Sequence, residues 1–208
     1  MKVAVSFIKS KYNEKETIDI INQTSADYLH VDIMDGVFVD NKNYDYEDIE
    51  LFVKDNHKQL DIHLMCNNPL EYIEDYLKLK PYNISFHIEA EKNPTRIIDF
   101  LHENNIKCGL AINPETDLKV IIPYLNKIDT VLVMSVHPGK GGQKFMLEIV
   151  NKIKELSKLK GNFVIEVDGG VNSDSICHLE NVDIVVSGSY ICESDDFEEK
   201  IRKLRITC

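Results

Sequence analysis

Two histidines and two aspartates, spread over three apolar runs, are the residues of this chain whose types and spacing could do chemistry. His30 and Asp32 lie in His30-Val31-Asp32-Ile33-Met34-Asp35-Gly36, His63 in Asp61-Ile62-His63-Leu64-Met65, and Asp168 in Glu166-Val167-Asp168-Gly169-Gly170. Residues two apart on a strand share a face, so His30, Asp32 and Met34 project one way and Val31 and Ile33 the other, and His63 and Met65 repeat that geometry. If these runs are parallel strands of one barrel, their C-terminal ends gather at a single mouth. Two imidazoles and two carboxylates there suit a divalent transition metal: zinc first, with iron, manganese or cobalt as alternatives, ahead of magnesium or calcium. A lone histidine is more often a hydrogen-bonded core or rim residue. The joint pattern at three strand ends reverses that expectation.

Asp32 and Asp168 have a second role open to them. Placed on strands that face each other across a mouth, they would flank a flat substrate, one removing a proton from a carbon next to a ketone and the other returning it to the opposite face. A cation stabilises the enediolate between the two steps. The blander reading is that both are only ligands, or that Asp168 caps a turn. Met34, Met65 and Met134 fall at the same level and would line the site with dry, polarizable thioethers, although each taken alone reads as core filler. Ser6 ends the first run and would donate to a substrate oxygen, against the alternative of a solvated loop serine. Gly139, Gly141 and Gly142, then Gly169 and Gly170, then Gly188 with Ser189 follow three successive late runs. Backbone N–H groups at such glycines approach anions closely, and barrel phosphate sites use the late loops. The Gly139–Gln143 loop is also expected to act as a lid.

The elements that position these residues are legible as an alternation of apolar β-rich runs with amphipathic, charged segments. Strands are expected at Val3–Phe7, Tyr28–Ile33, Leu60–Leu64, Asn83–His87, Lys107–Ile112, Thr130–Met134, Phe163–Val167 and Ile184–Ser187. Helices are expected at Glu14–Gln23, Glu47–Asn56, Pro69–Leu79, Pro94–Asn104, Thr116–Leu125, Phe145–Leu159, Ser173–Leu179 and Asp195–Leu204. Asn68 and Asn93 read as N-caps before first-turn prolines, and Ser173 as the cap of the seventh helix. Eight units in 208 residues make an α/β fold of a single domain, residues 1–208, closed as a (β/α)8 TIM barrel. An open doubly wound sheet with a dinucleotide is the runner-up, weakened because Val5-Ser6-Phe7-Ile8-Lys9 carries no glycine.

With 24 basic and 35 acidic residues the formal charge is −11, which argues against nucleic-acid or anionic-membrane partners. The opening apolar run ends at Ile8, too short for a signal or a span. Cys66, Cys108, Cys177, Cys192 and Cys208 show neither zinc spacing nor a disulfide framework, so a reducing cytoplasm is expected.

These motifs, together with Val133-Met134-Ser135-Val136, Gly141-Gly142-Gln143-Lys144-Phe145 and Val186-Ser187-Gly188-Ser189, closely resemble the ribulose-phosphate 3-epimerase family from Val3 almost to the last residue. The resemblance implies interconversion of D-ribulose 5-phosphate and D-xylulose 5-phosphate in the pentose phosphate pathway. It implies a divalent metal on His30, Asp32, His63 and Asp168, and Asp32 with Asp168 as the acid/base pair. Ser6, His63, Met34, Met65 and Met134 are implied as substrate contacts, with the glycines named above and Ser189 at the substrate and its phosphate, in a chain that self-associates as a homo-oligomer. Two departures stand out. The family's usual His-Phe-Val-Pro-Asn is Val37-Phe38-Val39-Asp40-Asn41 here, and Lys140 replaces an aromatic lid residue, either weakening closure or adding a cation near an anionic substrate. The nearest rival is a sister epimerase for a hexulose phosphate such as D-allulose 6-phosphate. A decarboxylase of the Asp-x-Lys-x-x-Asp type lacks its lysine, since Met34 stands there. A non-catalytic sugar-phosphate sensor would have lost the aspartate pair, and fold alone does not decide between them.

Overall fold

Each of the eight expected runs forms a strand, and the eighth pairs back onto the first. In this computed structural model, which describes residues 1–206, the strands are β1 (Lys2–Ser6), β2 (Tyr28–Met34), β3 (Gln59–Met65), β4 (Asn83–His87), β5 (Lys107–Ile112), β6 (Thr130–Met134), β7 (Val164–Asp168) and β8 (Ile184–Ser187). All pair in parallel and in sequence order to close a barrel. Closure leaves no sheet edge exposed.

Parallel strands covered on both sides read as continuous apolar runs, and all seven residues of β2 are buried. Val31, Ile33, Ile62, Leu64, Val133 and Val167 belong to the large core between strands and helices. The register then fixes the site: Ser6 pairs with His30, Asp32 with His63, Met34 with Met65, and Met134 with Asp168. The candidate residues therefore sit at matched heights near the C-terminal mouth.

The helices are α1 (Glu14–Asn22), α2 (Tyr46–Phe52), α3 (Pro69–Tyr76), α4 (Pro94–Glu103), α5 (Ile149–Lys158), α6 (Ser189–Cys192) and α7 (Phe197–Arg205). Several differ from expectation. Pro69 and Pro94 do open their helices, but the side chains of Asn68 and Asn93 make no capping bond, and Asn68 is instead left-handed at φ 51°. The segment after β5 forms two 3-10 turns, Leu118–Val120 and Ile122–Tyr124, in place of an α-helix over Thr116–Leu125. Asp117 captures the Lys119 N–H, and Pro123 has no N–H to continue a ladder. After β7 only a 3-10 turn, Ser175–His178, forms, because the Asn172 carboxamide accepts from the Asp174 and Ser175 N–H groups and competes with helix.

Cys66, Cys108 and Cys192 are buried free thiols. Cys177 is disulfide-bonded, where the spacing had suggested no pairing. Among the described residues, no helix is long and apolar enough to cross a membrane.

Candidate active site

At the barrel mouth His30, Asp32, His63 and Asp168 offer ligand atoms that all lie within 4.8 Å of one another. The Asp32 carboxylate is the hub: its Oδ1 lies 3.2 Å from His63 Nδ1 and 3.5 Å from His30 Nε2, and Asp168 Oδ2 lies 3.7 Å from the same His63 nitrogen. Ser6 donates its hydroxyl to Asp32 Oδ2 at 2.7 Å. That serine, expected to touch substrate, spends its proton on orienting Asp32.

Does this set fit a cation? His30 Nε2 is fully buried and has no hydrogen-bond partner, while its Nδ1 lies 2.7 Å from Asp61 Oδ2. Asp61 thus holds the ring from behind and turns Nε2 toward Asp32, the arrangement in which an outer carboxylate orients a metal-ligating histidine. Two imidazoles and two carboxylates with an orphaned nitrogen among them match a borderline divalent metal. A second group, His30, Asp61 and Glu166, also clusters, and there Glu166 Oε1 is buried without a partner, but Asp61 is engaged and Glu166 favours its neutral form. Asp61 accepts from His30 and from Asn83, and Glu166 is held protonated by burial and by Asp61.

Electrostatics separate the two aspartates. Burial pushes the Asp32 carboxyl up, but His30 and then His63 outweigh it and hold it well below the ordinary carboxylate range. Asp168 is pushed up to about 7, by burial first and by the Asp32 charge second. Burial also opposes charge on His30, yet Asp32 and Asp61 raise it well above the ordinary imidazole value.

A cavity of about 310 Å³ opens over these carboxylates. Asp32, Asp168, Ser6, Met34, Met65, Met134, Gly139, Gly141, Gly142, Gly169, Gly170, Gly188 and Ser189 all line it. His63 does not; its ring is fully buried, between Asp32 and His87, so it reaches a substrate only through what it helps to hold. The late loops approach closely because their glycines permit it. Gly170 is at φ +64°, and a Cβ there would lie 2.4 Å from the Phe145 nitrogen. Residues 145–148 are consequently laid across the barrel, with the Met146 N–H on Ser135 O, and α5 starts at Ile149 rather than at Phe145.

Sequence reasoning passed over several participants. Lys9 lines the cavity beside Gly141 and Gly142 with its ammonium 3.3 Å from Glu193; a lysine after the first strand carries no motif of its own. Ser135 donates to the carbonyls of Asp168 and Gly169, and Asn43 braces the end of β2 by donating to Asp32 O and accepting from the Met34 N–H. Asp35 accepts from the N–H groups of Val37, Phe38 and Asn67. The changed rim is joined to the Gly139–Gln143 loop: Asn41 donates to Gly139 O at 2.6 Å, and Val39 packs under Gly139.

The model of the Ribulose-phosphate 3 epimerase family matches residues 2–192. The chain belongs to that family. Its relatives include the ribulose-phosphate 3-epimerase of Helicobacter pylori strain J99, 41% identical over 99% of this chain and 95% of that protein. The ribulose-phosphate 3-epimerase of Mycobacterium bovis is 36% identical over 86% and 81%. As an epimerase-family protein the chain is an isomerase. Among solved structures, 3-keto-L-gulonate-6-phosphate decarboxylase from Vibrio cholerae superposes with a TM-score of 0.73 at 11% identity, covering 98% of this chain and 95% of that one. The 3-hexulose-6-phosphate synthase from Salmonella typhimurium gives 0.70 at 17%, covering 98% and 96%. At such identities the superpositions speak to the barrel alone.

Proposed function

We propose that this protein epimerises C3 of a phosphorylated ketose, interconverting D-ribulose 5-phosphate and D-xylulose 5-phosphate, with Asp32 and Asp168 as the acid/base pair. The observation that carries this is the convergence of both carboxylates, beside two buried imidazoles, at the floor of one cavity lined by the glycine loops. One aspartate takes the C3 proton, leaving a planar enediolate, and the other delivers a proton to the far face. His30, Asp32, His63 and Asp168 would hold a divalent cation, zinc first, whose charge lowers the energy of the enediolate oxygens. Met34, Met65 and Met134, all at most 5% exposed, keep that side of the cavity dry, so the carbanion-like intermediate meets few stray protons. The phosphate would rest on the glycine loops after β6, β7 and β8, with the Lys9 ammonium beside Gly142. The cytoplasm, the pentose phosphate pathway and a homo-oligomer complete the reading.

Incubation of the metal-loaded protein with ribulose 5-phosphate in D2O tests it, with a hexulose 6-phosphate alongside. Xylulose 5-phosphate carrying deuterium at C3 is expected, and Asp32→Asn or Asp168→Asn should each lower kcat by at least about 100-fold. No product and no exchange with the pentulose would sink the proposal. Turnover of the hexulose phosphate alone would move it to the sister epimerase.

A further inference from the structure

His63 has a second ring nitrogen, and it points away from the cavity. Nε2 lies 2.9 Å from His87 Nε2, and His87 Nδ1 lies 3.1 Å from Glu89 Oε2. The other Glu89 oxygen accepts from the Asn113 N–H at 2.9 Å and from the Thr116 hydroxyl. The Asn113–Thr116 loop is itself clamped, since the Lys152 ammonium donates to the carbonyls of Asn113, Pro114 and Thr116. A line of contacts therefore runs from Asp32 through His63 and His87 to Glu89. Both imidazoles on it are fully buried.

Proton counting along this line has one outcome. Two neutral imidazoles bring two protons, and there are three gaps: Asp32 to His63, His63 to His87, and His87 to Glu89. A carboxylate flanked by donors only accepts, and a nitrogen–nitrogen contact needs one donor and one acceptor. One gap is left without a proton, and a lone pair facing a carboxylate oxygen across it is repelled. If the empty gap is the outer one, His63 carries its proton on Nδ1, toward Asp32, and has no lone pair for a metal. If it is the inner one, His87 donates to Glu89, His63 donates to His87, and the bare His63 Nδ1 faces Asp32 and Asp168 with room for a cation as the third occupant.

We infer that Glu89 and His87 are positioning residues that hold His63 in the tautomer presenting Nδ1 to the cation. The inference rests on the reading of His63 as a ligand, and it reaches beyond the ligand set to a carboxylate at the far end of a two-histidine chain. Glu89→Gln is the informative change, because its amide nitrogen donates to His87 Nδ1 and so drives both protons inward, the wrong way for metal.

Zinc affinity of wild type and Glu89→Gln, measured by chelator competition without any sugar phosphate, tests this beside nitrogen-15 NMR of the histidine rings. The variant is expected to bind zinc 10- to 100-fold more weakly, in the range found for outer partners of ligating histidines. Its zinc-free form should carry the His63 proton on Nδ1, with thermal unfolding close to that of zinc-free wild type. In zinc-loaded wild type the protons should sit on His63 Nε2 and His87 Nδ1. That spectrum needs no variant, so a Glu89→Gln protein that fails to fold still leaves the inference exposed. Equal zinc affinities, a proton on His63 Nδ1 in the loaded wild type, or no zinc binding at all would each overturn it. A protein that binds zinc with these tautomers yet turns over neither ketose phosphate would refute the proposed reaction and leave the inference standing.

Discussion

A carboxyl group pushed up to about 7 must lose its proton before it can hold a cation, so Asp168 ties metal affinity to pH. Near pH 6 most ion-free molecules carry that proton. His30, raised well above the ordinary imidazole value, carries another, so binding should release up to about two protons per ion, and affinity should fall more steeply below pH 7 as Asp168 protonates. Calorimetry in two buffers of different ionisation enthalpy reads the protons directly, and Asp168→Asn should release about one fewer. Lys9 makes a different prediction. In a chain of charge −11 a dianionic phosphate needs local attraction, and this ammonium, shared with Glu193 at 3.3 Å, is placed to give it. Lys9→Ala should raise KM roughly three- to tenfold with kcat little changed, as for one half-exposed ion pair, and an unchanged KM would remove Lys9 from the phosphate site. Residues with a motif around them, such as His30 or Asp168, were legible in the sequence. Lys9, His87 and Glu89 were not, because their meaning comes from contacts between strands and loops far apart in the chain.

At the scale of elements, the strands were read almost to the residue, and the helices less well. A buried parallel strand announces itself by a short β-branched run between turn residues, and Asn83–His87 or Thr130–Met134 need no tertiary information. The failures lie where a side chain or a loop captures backbone groups that a helix would use: Asn172 after β7, Asp117 and Pro123 after β5, and the Phe145–Glu148 stretch drawn across the mouth by its fit against Gly170. That last contact is testable. A methyl group at Gly170 would meet the Phe145 nitrogen at 2.4 Å and Gln143 O at 2.7 Å, backbone atoms that cannot swing aside, at φ +64°. Gly170→Ala should cost about 1–3 kcal/mol of stability and raise KM for the phosphorylated substrate. Gly161→Ala, with nothing within 4 Å of the added carbon, should do neither. Urea denaturation and steady-state kinetics on the pair separate the effect of position from that of composition.

For the molecule as a whole, the four ligand candidates make stability depend on pH in opposite senses with and without a cation. In the ion-free protein Asp168 has a folded-state pKa of about 7, above its ordinary value of 3.8. Between those limits the folded state binds more protons than the unfolded one, so this contribution to stability is full below about 4 and is lost as pH rises through 7. A bound ion reverses the sense, because it needs the ionised carboxylate. At 100 times Kd it adds about 2.7 kcal/mol, which for a chain of 208 residues raises Tm by roughly 5–10 °C, and protonation of Asp168 removes that gain in acid. Thermal unfolding with excess zinc and with chelator should therefore differ most near pH 8 and converge by about pH 5. Terms common to both forms, including the His87 imidazole held down to about 4, cancel in the difference between the curves. In Asp168→Asn the difference should shrink and vary less with pH through 7. A zinc-induced rise in Tm that stayed constant from pH 8 to pH 5 in wild type would mean that Asp168 is not among the groups that hold the ion.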